Sequence, residues 1–314
     1  MSLILVNLTL SLMIFFIIFL LPKDKKLSFI TYDNISKNHS INKEIVPLIS
    51  SLILLPNIFF YYEYNLSLIL LSLLLFTIGY LDDKFHIQIK YRFFFSLIII
   101  SFFLLNFNDY RIEYLYFFNN HINFSNYASI LVTLVMILGF FHVINMSDGR
   151  NCLVTTYFIN IFIFLILKND SLFFVNNLLV LISFLLVFIL NYFNKSFFGN
   201  SGILFISFFI AIVLISEFNK ETLSIENIFI LLYIPFFDAL RVTFIRVYNK
   251  KSPFLSERNH LHHLPESWNQ GLIILILLFA LNNFIQLFLN LNFFIIFSYS
   301  IFSFFTIYYL FKKI

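Results

Sequence analysis

Residues 196–216 read SFFGNSGILFISFFIAIVLIS, with no charged side chain between Lys195 and Glu217. A helix of roughly 20 mostly apolar residues spans the hydrocarbon of a bilayer, so this stretch predicts a membrane span centred near Phe209. Similar runs are centred near Leu12, Ile53, Leu73, Ile99, Val135, Phe162, Leu181, Leu232, Leu277 and Phe302. The pattern predicts about eleven transmembrane helices, those near Ile53 and Ile99 being the least sharply bounded. Composition agrees. Of 314 residues, 61% are apolar and only 11% are charged, with 48 Phe and 6 Gly. A soluble domain carries about a quarter charged residues, and disordered chains are charge-rich and apolar-poor, so both classes are excluded. A net charge of +4 does not support a nucleic-acid partner. The single cysteine, Cys152, excludes an internal disulfide and a cysteine zinc site, and reads as a small buried apolar residue.

The basic residues orient the spans. With the N-terminus outside and all runs crossing, all but Arg111, Lys168 and Lys220 of the 20 Lys and Arg fall on inner segments, as the positive-inside tendency requires. The first run has its basic cluster, Lys23, Lys25 and Lys26, after the apolar core rather than before it, so it reads as a retained helix and not as a signal peptide. The expected fold is an all-α, polytopic membrane helical bundle over residues 1–314 as a single integral membrane domain, N-terminus outside and C-terminus cytoplasmic. The segment near residues 106–126 is expected outside, as an interfacial loop anchored by Tyr and Phe.

Four polar stretches fall on the inner face. Gly79-Tyr80-Leu81-Asp82-Asp83-Lys84 ends the third run. Adjacent carboxylates repel, and neighbouring helix positions point in different directions. One acid can therefore face a metal or act as a base while a basic neighbour holds the other; Lys84 is available to neutralise one. Asn145-Met146-Ser147-Asp148-Gly149-Arg150-Asn151 lies between the fifth and sixth runs, where a plain turn also favours Asn, Asp and Gly. Phe197-Phe198-Gly199-Asn200-Ser201-Gly202 leads into the eighth run, its small residues permitting close approach of backbone amides to a ligand. The fourth stretch runs from Ser252 to His263 and ends Arg258-Asn259-His260-Leu261-His262-His263. It reads as a metal or an anion site; arginine and lysines beside the histidines favour phosphate. Acids, carboxamides, basic groups and histidines gathered at one membrane surface suit transfer of a phosphorylated group onto a lipid. A divalent cation would offset the repulsion between two anionic reactants.

These motifs resemble, in order, those of the polyprenyl-phosphate N-acetylhexosamine-1-phosphate transferases (glycosyltransferase family 4). The likeness covers Asp33 to Leu264 and is most specific at Asp238-Ala239-Leu240-Arg241, Arg246, Ser252-Pro253-Phe254 and Arg258 to His263. The last is similar to the histidine motif of the undecaprenyl-phosphate GlcNAc-1-phosphate transferase-like branch. Asp82 and Asp83 match the paired aspartates, Asn145 to Gly149 the Asn-x-x-Asp-Gly motif, and Asp33, Lys37, His39 and Pro47 the opening motif.

The resemblance implies an enzyme that transfers a sugar-1-phosphate from a UDP-sugar to polyprenyl (undecaprenyl) phosphate and releases UMP, the first membrane step of cell-envelope polysaccharide synthesis. It implies a multi-pass protein of the bacterial inner membrane with a cytoplasmic active site, its partners being the UDP-sugar, polyprenyl phosphate and membrane lipid; a homodimer is compatible. Asp82 and Asp83 would deprotonate or position the lipid phosphate. Asn145 and Asn200 would hold Mg2+, with Mn2+ as the alternative, Asp148 would bind the nucleotide, and Arg92, Arg258, His260, His262 and His263 would steady phosphate oxygens. Three departures stand out: Asn200 replaces the usual metal-binding Asp, Asn151-Cys152 replaces an acidic-or-Asn plus Gly pair, and Ser50-Ser51 stands where two glycines are common. A carboxamide oxygen still suits a hard cation but brings no charge. The alternatives are a catalytically weakened relative serving as a membrane scaffold, and a lipid-linked-sugar transporter, which would carry ionisable groups near the midplane. Asp238, beside Pro235 in the ninth run, is the residue closest to that pattern and is expected to pair with Arg241. His86, His121 and His142 read as isolated surface or interface residues.

Overall fold

The computed structural model describes residues 2–21, 30–32, 46–63, 65–117, 120–168, 174–252, 259–289 and 292–314. Among these are α1 (Ser2–Leu20), α2 (Leu55–Tyr61), α3 (Leu66–Phe85), α4 (Ile89–Asn106), α5 (Asn126–Ser147) and α6 (Leu153–Lys168). They are followed by α7 (Phe174–Tyr192), α8 (Gly199–Asn219), α9 (Ile225–Tyr248), α10 (Trp268–Phe288) and α11 (Phe293–Phe311). Nine of the described helices are long and apolar enough to cross a membrane, and the chain is an all-α polytopic membrane protein. The exceptions are α6, with 16 residues, and α2, with 7.

The run near Ile53 therefore differs from the continuous span expected of it. It is a 3-10 turn, Ser50–Ile53, followed by α2. Pro56 explains the break: it lies in the first turn of α2, where its missing N–H is harmless, but it cannot continue a helix begun upstream. The segment nevertheless runs the length of the bundle. Ser50 N–H donates to Phe197 O just before α8, while the Tyr62 hydroxyl accepts from Ser72 of α3 at 3.3 Å. Midway, the two N–H bonds of Asn57 Nδ2 are shared among Ser11 of α1 and Leu179 O and Ser183 of α7, acceptors that lipid could not supply.

The segment near residues 106–126, expected outside, is likewise more ordered than a loop. It contains a 3-10 turn, Asn108–Tyr110, and an antiparallel hairpin of β1 (Tyr114–Phe117) and β2 (Asn120–Asn123), with Tyr114 opposite Asn123. Tyrosine suits a strand, and the Tyr114 ring docks on Phe218 of α8 with centroids 5.5 Å apart.

α8 forms the axis of the bundle. Of its most apolar window 94% is buried, against 22–44% for the other long helices, and Phe205, Phe208 and Phe209 are fully enclosed. The surrounding helices turn apolar faces outward, with Ile17 at 62% and Phe102 at 64% exposure. In water such a surface would drive association; in a bilayer it meets acyl chains. Cys152 starts the turn into α6 at a φ of 65° and is buried; burial pushes its thiol up to about 12, which suits packing and not reactivity.

Candidate active site

The C-terminal ends of α3, α5 and α9 and the N-terminal ends of α4, α8 and α10 meet at one end of the bundle. Asp82 and Asp83 close α3 and, as neighbours on a helix, point apart. Asp82 is buried and faces α4, its Oδ2 accepting from Arg92 at 2.6 Å. Asp83 faces the start of α8, where its carboxylate accepts from the backbone N–H groups of Asn200 at 2.9 Å and Ser201 at 3.0 Å. It thus satisfies two donors that have no partner within the helix, at the end where the helix dipole favours an anion. The basic neighbour expected to hold an acid, Lys84, lies instead against the Tyr80 and Phe85 rings; the cation on Asp82 is Arg92.

Gly79 makes this junction possible. A Cβ there would stand 2.4 Å from both Asn200 O and Ser201 Cα, so any other residue would push α3 away from α8 and take Asp83 off its two amides.

Arg92 gathers a further pair. Besides Asp82 it donates to Asn200 Oδ1 at 3.0 Å and to Asn145 Oδ1 at 3.4 Å, and Asn145 Nδ2 donates to Asn200 Oδ1 at 3.0 Å. Three side-chain oxygens, from α3, α5 and α8, therefore converge on one guanidinium. An all-oxygen set of this kind is chemically suited to a hard divalent cation. Among the described residues no group of three or more His, Cys, Asp or Glu could hold a metal; a divalent ion placed at this point would need both carboxamides. The set carries one formal negative charge, that of Asp82.

The histidine turn forms the neighbouring wall. Asp238 of α9 is buried and accepts from Leu261 N–H at 3.0 Å and from Arg241 at 2.7 Å, and it lies 3.0 Å from His260 Nδ1. Arg246 approaches His260 Nε2 at 3.3 Å. A carboxylate only accepts and a guanidinium only donates, so the His260 proton is on Nδ1 and both ring nitrogens are engaged. This places His260 as the anchor of the turn. His262 is buried and stacks on His260 with rings 5.4 Å apart, and the His263 ring lies 4.2 Å away. Burial, with the like charge of His263 beside it, holds the His262 imidazole well below the ordinary histidine range.

The loop after α5 joins the two walls. A Cβ on Gly149 would fall 2.2 Å from His262 Nε2, so glycine is what lets the ring lie against the loop. Arg150 Nε donates to His262 O at 3.2 Å, and Trp268 of α10 donates to Asn151 O at 2.9 Å. Asp148 is exposed at the C-terminal cap of α5. Arg258 of the predicted set, and Asp33, Lys37 and His39 of the opening motif, lie outside the described residues; Pro47 accepts from Ser196 and Phe197 before α8.

Two residues gain a place that the sequence reading did not give them. Asp238 does pair with Arg241, but it also organises His260 and the turn. His142 is not isolated: it is within electrostatic reach of Arg92, Arg246 and His260. The signal was present, because positions 142 and 145 lie three apart on one face of α5. A separate cavity of about 780 Å3 opens at the opposite end of α3, α4 and α8, lined by Tyr61, Glu63, Asp109, Tyr110 and Glu113 among others; no predicted site residue lines it.

Residues 65–217 match the family model described as Glycosyl transferase family 4. The matched stretch runs from α3 through most of α8 and contains Asp82, Asp83, Arg92, Asn145, Asp148 and Asn200, while the histidine turn lies beyond it. No curated protein matches the chain.

Proposed function

The chain belongs to glycosyl transferase family 4, the polyprenyl-phosphate sugar-1-phosphate transferases, and from that premise we propose that its reaction joins an N-acetylhexosamine-1-phosphate from a UDP-sugar to undecaprenyl phosphate. A phosphate oxygen of the lipid attacks the phosphorus that bears the sugar. The bond from that phosphorus to the bridging oxygen breaks, UMP leaves with the electron pair, and a polyprenyl-diphosphate-linked sugar remains. The observation that carries this reading is the convergence of Asp82, Arg92, Asn145 and Asn200 beside the histidine turn, at one end of a bundle whose outer surface is apolar.

In this reading Asp82 serves the reaction by helping to position the lipid phosphate. Asp83 keeps α3 seated on α8. Arg92 and Arg258, with the histidine turn, hold phosphate oxygens, and Asp148 binds the nucleotide from the exposed rim. Asp82, Asn145 and Asn200 would hold Mg2+, or Mn2+ in its place, and the ion would offset the charge of the two anionic reactants. The excess of Lys and Arg at this end supports a cytoplasmic active site, and an undecaprenyl acceptor would place the protein in a bacterial inner membrane. The prenyl chain, mostly hydrocarbon, would lie along apolar helix faces.

Asn200 favours a second reading, a weakened relative with a scaffold role, since it removes a charge from the cation site. Measuring UMP release from UDP-sugars in the presence of magnesium and undecaprenyl phosphate separates the two. Turnover by the native chain supports transfer. An inactive native chain that recovers on Asn200→Asp would establish the weakened relative.

A further inference from the structure

The three oxygens that suit a divalent cation already have a cation among them, and it belongs to the chain. Arg92 lies 2.6 Å from Asp82, 3.0 Å from Asn200 and 3.4 Å from Asn145, with its side chain 16% exposed. A divalent ion coordinates oxygens at little more than 2 Å, so it cannot share all three with a guanidinium interposed between them. Charge points the same way. Asp82 and Arg92 cancel, Asp83 is committed to the first amides of α8, and Asn145 and Asn200 are neutral. A free divalent ion therefore meets a site with no net negative charge to draw it in.

We propose that Arg92 competes with the divalent cation for Asp82, Asn145 and Asn200, so that metal enters only as Arg92 withdraws. The inference rests on the metal site of the proposed function and adds a consequence. A withdrawn guanidinium needs an anion, and a nucleotide diphosphate can supply one, so metal and diphosphate should each strengthen the binding of the other. Such coupling is reciprocal by thermodynamic necessity.

The test is Mn2+ binding to the full chain in detergent, followed by the loss of the free-ion electron paramagnetic resonance signal, with and without UDP. Arg92→Gln should bind Mn2+ at least about tenfold more tightly than the native chain when UDP is absent. Added UDP should tighten Mn2+ binding in the native chain by a larger factor than in Arg92→Gln. Lys90→Gln removes an exposed cation from the same first turn of α4 and should leave the affinity within about twofold. Arg92→Lys, with the charge kept and fewer donors, should fall between native and Arg92→Gln, and it decides the matter if Arg92→Gln does not fold. Unchanged or weaker Mn2+ binding in the Arg92 variants, or equal tightening by Lys90→Gln, would overturn the competition. A native chain that turns over substrate but shows no shift defeats this inference alone. An affinity shift in a chain with no transferase activity would keep the competition and defeat the function.

Discussion

Asp238 Oδ2 and His260 Nδ1 lie 3.0 Å apart, both buried, joining α9 to a turn 22 residues further along the chain. The same carboxylate accepts from Arg241 and from Leu261 N–H, so one aspartate fixes the turn by side chain and backbone together. An acid within a span is also what a transport path would use. Here it is committed to two basic side chains and an amide, and serves as a fixed support.

Asp238→Asn should therefore cost on the order of 2–3 kcal/mol, because it removes the counter-charge of the half-buried Arg241 and weakens the acceptor of the buried His260 Nδ1–H. His260→Ala should be costly through the same contact, and the double variant should be less destabilised than the sum of the two by about 0.5–3 kcal/mol. Thermal unfolding of the four proteins in one detergent checks this. Strict additivity would mean that the two residues act separately.

Gly79→Ala should destabilise by about 1–3 kcal/mol, as overpacking against a rigid neighbour does, because its Cβ meets backbone at 2.4 Å. Gly139→Ala is the control. Nothing lies within 4 Å of a Cβ there, and alanine favours a helix by up to about 1 kcal/mol over glycine, so that variant should be neutral or stabilising. The contrast in unfolding temperature is the readout.

His262 makes stability depend on pH in a definite direction. Its folded imidazole is held well below the ordinary value of 6.5, so near and below that pH the unfolded chain binds a proton that the folded chain does not. Stability is then complete above about pH 6.5 and declines as pH falls through it toward the folded value. His262→Gln should flatten that decline between about pH 5 and 7. Unfolding temperatures that fall equally in both proteins would assign the effect to other groups.

The spans were legible because hydrophobic length is a local property. The runs near Leu12, Leu73 and Phe209 became α1, α3 and α8 without any knowledge of their neighbours, and even the break near Ile53 is marked by Pro56. The polar motifs were equally visible as residues that lipid would reject. Their partners were not. Lys84 is the nearest base to Asp82 in sequence, yet Arg92 reaches it, because α4 returns antiparallel beside α3. Asp83 meets the first amides of α8 because Gly79 admits the start of that helix.

Sequence alone thus determined that this is a many-spanned membrane protein with its polar chemistry at one end, since water and lipid sort residues by type whatever surrounds them. Only the tertiary structure decided which acid is seated on a helix terminus, which histidine is an anchor, and which cation now occupies the oxygens of Asp82, Asn145 and Asn200. Those outcomes depend on distances of a few ångströms between helices far apart in the chain, and no local pattern encodes such distances.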